Sequence, residues 1–159
     1  MTVVYLGLGS NIGDKEQQIK NAITFIGDCC KVIKESPLYL TEPVGLSDQD
    51  WFLNGVVEIE TDINPKILLS KVKSIERKLG RKKTVKNGPR CIDIDILFYG
   101  DQVVQTKNLV IPHPLIQKRL FVLQPMKDLN PCFIHPVLHK TIKELYDEHP
   151  WSEIVTPYK

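Results

Sequence analysis

From Cys91 to Ile96 the chain reads Cys-Ile-Asp-Ile-Asp-Ile, alternating apolar and acidic residues, and continues Leu-Phe-Tyr to residue 99. A period of two belongs to a strand and not to a helix. Ile92, Ile94, Ile96 and Phe98 are therefore expected on one face. Asp93 and Asp95 fall on the other, their Cα atoms roughly 7 Å apart. The apolar face must be buried. The acidic face must meet water, a cation or a substrate, because two neighbouring carboxylates repel and resist desolvation. Hard oxygen ligands of this kind suit magnesium, which takes one or two carboxylates together with substrate phosphates. An ordinary half-exposed strand with two solvated aspartates accounts for this segment equally well on its own.

The rest of the chain supplies partners for that strand. Thr2 to Leu8 is β-branched and aromatic, and reads as a buried strand ended by Gly7, Gly9 and Gly13. Asp14 opens a helical pattern with Ile19, Ala22, Ile23 and Ile26 at three- and four-residue spacing, closed by Gly27-Asp28. Val32 to Leu40 reads as a strand near an edge, since it contains Pro37. Phe52 to Thr61 reads as another. Asn64-Pro65 is a helix start, Leu68, Val72, Ile75 and Leu79 form its apolar stripe, and Gly80 is its stop. The order β-α-β-β-α-β predicts an α+β, ferredoxin-like antiparallel sheet with helices on one face. A short ribbon (103–104 with 109–111), a helical run from Pro114 to about Leu129 interrupted by Pro125, and a short helix at 141–147 extend it. No repeat or linker divides the chain, so residues 1–159 are expected to form a single domain.

Immediately before the acidic strand comes Arg81-Lys-Lys-Thr-Val-Lys-Asn-Gly-Pro-Arg90, with five cationic side chains and no acid. Alone it reads as a solvated loop or a short RNA-contact patch. Leading directly into two carboxylates, it supplies the other half of a metal–polyphosphate site, with Arg and Lys neutralising phosphate charge. Ile111-Pro-His-Pro114, followed by Lys118, Arg119 and Phe121, restrains one histidine between two prolines. His135, His139 and His149 have no ligand spacing and read as surface residues. The glycine-rich start matches neither GxGxxG nor a P-loop, and a tight strand-to-helix turn explains it. Thr41-Glu-Pro-Val-Gly45 and Trp51-Phe-Leu-Asn54 gather groups able to clamp a flat heteroaromatic ring, although core packing is the simpler reading of Phe52.

Taken together these motifs resemble hydroxymethyl-dihydropterin pyrophosphokinases. The resemblance runs from Gly-Leu-Gly-Ser-Asn-Ile-Gly-Asp at 7–14 through Thr-Glu-Pro-Val-Gly at 41–45 and Phe-Leu-Asn at 52–54. It continues in Gly-Pro-Arg-Cys-Ile-Asp-Ile-Asp-Ile at 88–96, Ile-Pro-His-Pro at 111–114 and Arg-Leu-Phe-Val-Leu at 119–123. It implies an ATP- and magnesium-dependent diphosphotransferase of folate biosynthesis acting on 6-hydroxymethyl-7,8-dihydropterin. By the same resemblance, Asp93 and Asp95 hold two magnesium ions, and Arg81 and Arg90 act with them in catalysis. Glu76, Lys83, His113 and Arg119 lie on the ATP and phosphate side. Thr41, Val44, Phe52, Asn54 and Phe121 bind the pterin. Asn87 stands where many members carry an aromatic residue.

Two rivals remain at this point. A different metal-dependent nucleotidyl- or phosphotransferase would use the same carboxylates on another acceptor. An RNA-recognition module shares the strand–helix order, but it needs exposed aromatics and a basic surface. Here the last strand carries aspartates and the formal net charge is only +2, so no nucleic-acid partner is expected. No segment is long and apolar enough for a membrane span. Cys29, Cys30, Cys91 and Cys132 include no CxxC pair, which speaks against a zinc or redox motif and for a reducing, cytoplasmic compartment. A monomer is expected.

Overall fold

The computed structural model describes residues 1–42, 50–80, 91–150 and 153–158. The chain begins with β1 (Thr2–Ser10), α1 (Lys15–Cys29), β2 (Lys31–Glu35), β3 (Tyr39–Thr41), β4 (Phe52–Thr61), α2 (Pro65–Lys78) and β5 (Asp93–Tyr99). A ribbon of β6 (Val104–Gln105) and β7 (Val110–Ile111) follows. After a 3-10 turn at Ile116–Lys118 come α3 (Leu120–Leu129), α4 (Ile142–Glu148) and β8 (Val155–Pro157). The main sheet has the order β5-β1-β4-β3-β8, with β2 also paired to β4, and its pairings are antiparallel. This is the expected ferredoxin-like core, extended by one strand.

Local chemistry sets the helix ends. The Asp14 side chain accepts from the Gln17 amide, and Asn64 accepts from Ile67 with Pro65 in the first turn. Gly80 turns the chain out of α2 at φ +92°. Thr141 and Glu144 form a reciprocal capping box on α4. The predicted second strand is divided between β2 and β3. Ser36 keeps one more pair of bonds to Val56, through its amide and its hydroxyl, and Pro37 then has no N–H to continue the ladder.

Helices cover both faces, not one. Val4, Leu6 and Leu8 of β1 pack with Ile19 and Ile26 of α1 and Val72 and Ile75 of α2. On the opposite face Tyr5, Val56 and Leu97 pack with Val122, Leu123 and Met126 of α3 and with Ile142 and Leu145 of α4. That second layer explains why neighbouring residues of β1 are buried on both sides. It also carries α3 through Pro125, which is itself buried among the packed residues of the helix.

The alternation in β5 departs from expectation at one point. Leu6 lies opposite Ile96 but Tyr5 lies opposite Phe98, so Leu97 is an extra residue in the ladder. The bulge turns Phe98 away from Ile92, Ile94 and Ile96 and into the α3–α4 layer. There its ring centroid lies 4.6 Å from that of Phe133 and 6.3 Å from that of Tyr5. His135 and His149 are buried at 4% and 5% exposure and are not surface residues. The His135 Nδ1 accepts from the Val137 and Leu138 amides, closing a turn beside Phe98. Among the described residues no helix is long and apolar enough to cross a membrane.

Phe98 has no exposed surface. Replacing it with alanine is expected to cost about 3–5 kcal/mol by loss of buried area and creation of a cavity. Urea unfolding at constant m-value measures this loss.

Candidate active site

Register places the candidate residues relative to one another. Gly9 of β1 lies opposite Asn54 of β4 on one side and Asp93 of β5 on the other. Gly7 lies between Val56 and Asp95 in the same way. Residues two apart share a face, so Asn54, Gly9 and Asp93 form one row and Val56, Gly7 and Asp95 the next. With no side chain on the central strand, a trough separates Asn54 from Asp93, about 10 Å wide by the spacing of two strand intervals. A Cβ at Gly9 would stand 2.6 Å from Asn54 Oδ1, inside contact distance. Both glycines therefore lie within the strand. Only Gly13, at φ +69°, makes the turn that the sequence placed earlier.

The trough is the floor of a cleft of about 700 Å³, counting its open mouth. Thr41 and Glu42 close one end, with Phe52 and Asn54 beside them; Asp93 and Asp95 line the other side. Arg119, Phe121 and Val122 contribute a wall from the start of α3. Asn54 Nδ2 donates to Thr41 Oγ1 at 2.6 Å, which fixes the amide with Oδ1 over Gly9. The Arg119 guanidinium sits 5.4 Å from the Phe121 ring centroid.

The acid pair is electrostatically loaded. Burial, and then the neighbouring charge of Asp93, push the Asp95 carboxyl up to about 7; Lys73 and Arg119 oppose the shift, and Glu76 adds to it. A pair of hard oxygen donors whose negative charges crowd one enclosed face fits a divalent cation. Among the described residues no third His, Cys, Asp or Glu joins them in a metal-holding group. The donor set thus suits an ion that completes its shell with substrate oxygens and water.

His113 and Glu76 stand next to this pair without lining the cleft. The His113 amide donates to Leu97 O at 3.0 Å, and its Nδ1 accepts from the Leu115 amide at 3.2 Å, leaving the ring proton on Nε2. Burial first, and the Arg119 charge second, pull this imidazole down to about 4 against the pull of Asp93. It is a neutral N–H donor at pH 7. Glu76 is buried on α2, where Oε2 accepts from the Ile94 amide at 2.7 Å and Oε1 lies 3.3 Å from Lys73 Nζ. Its carboxylate holds the strand that carries the acids. Val44, Arg81, Lys83 and Arg90 lie outside the described residues.

Sequence reasoning passed over Gly7, Gly9, Glu42, Leu97 and Val122, all of which line the cleft. Two glycines spaced by one residue in a strand pattern were the available signal, since each marks a close approach of another group.

The Asp95 shift has a defined sign. Its folded-state value is raised, so metal-free protein loses stability as pH climbs from about 4 to 7, and the penalty is complete above 7. Asp95→Asn is therefore expected to stabilise the metal-free protein at pH 8 by about 4 kcal/mol, with most of the gain gone near pH 4. Denaturant titrations at the two pH values check this.

Residues 5–131 match the family model of 7,8-dihydro-6-hydroxymethylpterin-pyrophosphokinase. The chain is 43% identical to the 2-amino-4-hydroxy-6-hydroxymethyldihydropteridine pyrophosphokinase of Aquifex aeolicus, over 94% of this chain and 93% of that one. It is 46% identical to the folic acid synthesis protein fol1 of Schizosaccharomyces pombe, where the match covers 93% of this chain but spans only 20% of the relative. The fold is shared with a solved Plasmodium falciparum HPPK-DHPS at a TM-score of 0.75 and 20% identity, over 92% of this chain and 43% of that one. With the family model covering most of its length, the chain belongs to the 7,8-dihydro-6-hydroxymethylpterin-pyrophosphokinase family.

Proposed function

We propose that this chain transfers the β,γ-diphosphoryl group of ATP to the hydroxymethyl group of 6-hydroxymethyl-7,8-dihydropterin, a step of folate biosynthesis. The observation that carries this reading is the glycine-floored trough. It joins a pocket suited to a flat polar ring, at Thr41, Phe52 and Asn54, to an acid pair suited to a metal-bound triphosphate, at Asp93 and Asp95.

In this reading Phe52 and Phe121 sandwich the pterin. Asn54 Oδ1, held by the bond to Thr41, accepts from a ring N–H, and backbone at Thr41 and Val44 completes the pocket. The hydroxymethyl oxygen attacks the β-phosphorus; the bond from that phosphorus to the α,β-bridging oxygen breaks, and AMP departs with the electron pair. The hydroxyl proton passes to solvent. Asp93 and Asp95 would hold magnesium, which when bound supplies positive charge to the triphosphate oxygens. Arg119 and the neutral Nε2–H of His113 donate to phosphate oxygens, with Arg81, Lys83 and Arg90 as further cations. Glu76 serves this side of the site by fixing the Ile94 amide. Positioning and charge stabilisation account for the rate.

Incubation with ATP, magnesium and the reduced pterin is expected to yield AMP in step with pterin diphosphate. ADP in its place, or AMP released without dependence on the pterin, sinks the reading. Asp95→Ala is expected to lower turnover about a hundredfold to a thousandfold, as removal of a charge-stabilising group does.

Gly9→Ala tests the pocket. The added methyl would stand 2.6 Å from Asn54 Oδ1 and 3.7 Å from the Phe52 ring, so it must turn the buried amide off its bond to Thr41, and the melting temperature is expected to fall by a few degrees, as loss of about 1 kcal/mol does. Displacing that amide is expected to raise KM for the pterin about tenfold, the equivalent of one lost polar contact. Steady-state kinetics beside a thermal melt read both.

A further inference from the structure

The last described segment lies beyond the residues matched by the family model, yet it touches both walls of the cleft. β8 pairs with β3 so that Val155 stands opposite Thr41. The Ile154 amide donates to Glu42 Oε1 at 3.4 Å. One residue earlier, Glu153 Oε2 accepts from the Leu120 amide at 2.8 Å. Leu120 is the first residue of α3, between Arg119 and Phe121.

This last bond answers a need in α3. The first amides of a helix have no intrahelical acceptor, and a short polar side chain at the N-cap usually provides one. Here the N-cap is Arg119, whose side chain makes no capping bond and lines the cleft. An arginine is a donor only and has no acceptor to offer. Glu153 supplies the missing acceptor from 33 residues downstream. A carboxylate there also complements the positive end of the helix dipole. His149 is packed against the same junction, with Nε2 3.3 Å from Lys118 O and 3.8 Å from the other Glu153 oxygen.

We propose that Glu153 is a positioning residue of the active site: by capping α3 in place of Arg119 it holds Phe121 and Arg119 against the Thr41–Asn54 wall, so that pterin affinity depends on it. In its kinetic consequence the proposal rests on the diphosphoryl-transfer reading above.

The test uses the full chain with Glu153→Ala and Glu153→Gln. The alanine variant is expected to raise KM for the pterin roughly tenfold through Phe121 and KM for ATP by a smaller factor, about threefold, through Arg119, since the acid pair itself stands on β5. Glutamine keeps an oxygen able to accept from Leu120 and is expected to recover most of that affinity. A pterin KM within about twofold of the unsubstituted protein in the alanine variant overturns the proposal, and so does a glutamine variant as impaired as alanine. Amide hydrogen exchange at Leu120 in the unsubstituted protein needs neither substrate nor a folded variant. Slow exchange there is expected, and exchange at the unprotected rate overturns the capping role. If the unsubstituted protein releases no AMP, the functional reading fails by itself, and the exchange rate still judges the place of Glu153.

Discussion

β1 is hydrogen-bonded along both edges, to β4 and to β5, while two of its positions carry no side chain. Each half of that arrangement constrains the other. Glycine inside a strand weakens it, because its freedom is lost on folding and it packs nothing against its neighbours. A ladder on both sides, and the burial of Val4, Tyr5, Leu6 and Leu8, offset the loss. What results is a rigid backbone floor at the centre of the sheet, with functional groups rising only from the flanking strands. The α3–α4 layer covers the rest of that face, and the cleft remains where the glycines lie.

The acid strand is held by a different device. Among the described residues β5 pairs within the sheet only through its β1 side. Its outer edge is served by Glu76, which takes up the Ile94 amide, and by the His113 amide, which takes up the Leu97 carbonyl. The backbone beneath Asp93 and Asp95 is thus fixed from both sides before any cation arrives. Such preorganisation lowers the ordering cost of binding and leaves the mutual repulsion of the acids to be relieved by the ligand. His113 does two jobs from one residue, since its backbone secures the strand while its ring presents a neutral donor.

Much of this was legible in the sequence, because the informative signals were local. Alternation marked β5 and put Asp93 and Asp95 on one face; Asp14, Asn64 and Gly80 marked helix ends. The misses depended on partners far along the chain. Nothing in Ile-Leu-Phe at 96–98 announces that the ladder slips by one residue there, so Phe98 was assigned to the wrong layer. β8 is three residues long and exists because β3 offers it an edge. Glu153 and His149 look like surface polar residues until α3 is brought against them. The roles of Gly7 and Gly9 were hidden for the opposite reason, since a turn was a sufficient local explanation of each.

The division of β4's far edge between two short strands has one more consequence. β8 covers β3, whereas among the described residues β2 pairs only with β4 and no strand covers its other side. A bare strand edge invites another molecule to extend the sheet, and charged side chains are the usual defence. Lys31, Lys34 and Glu35 are exposed along β2, and its ladder slips between Val32 and Lys34. Charge, brevity and an irregular register together make this rim a poor template for self-association, which protects the chain at high concentration without burdening the cleft.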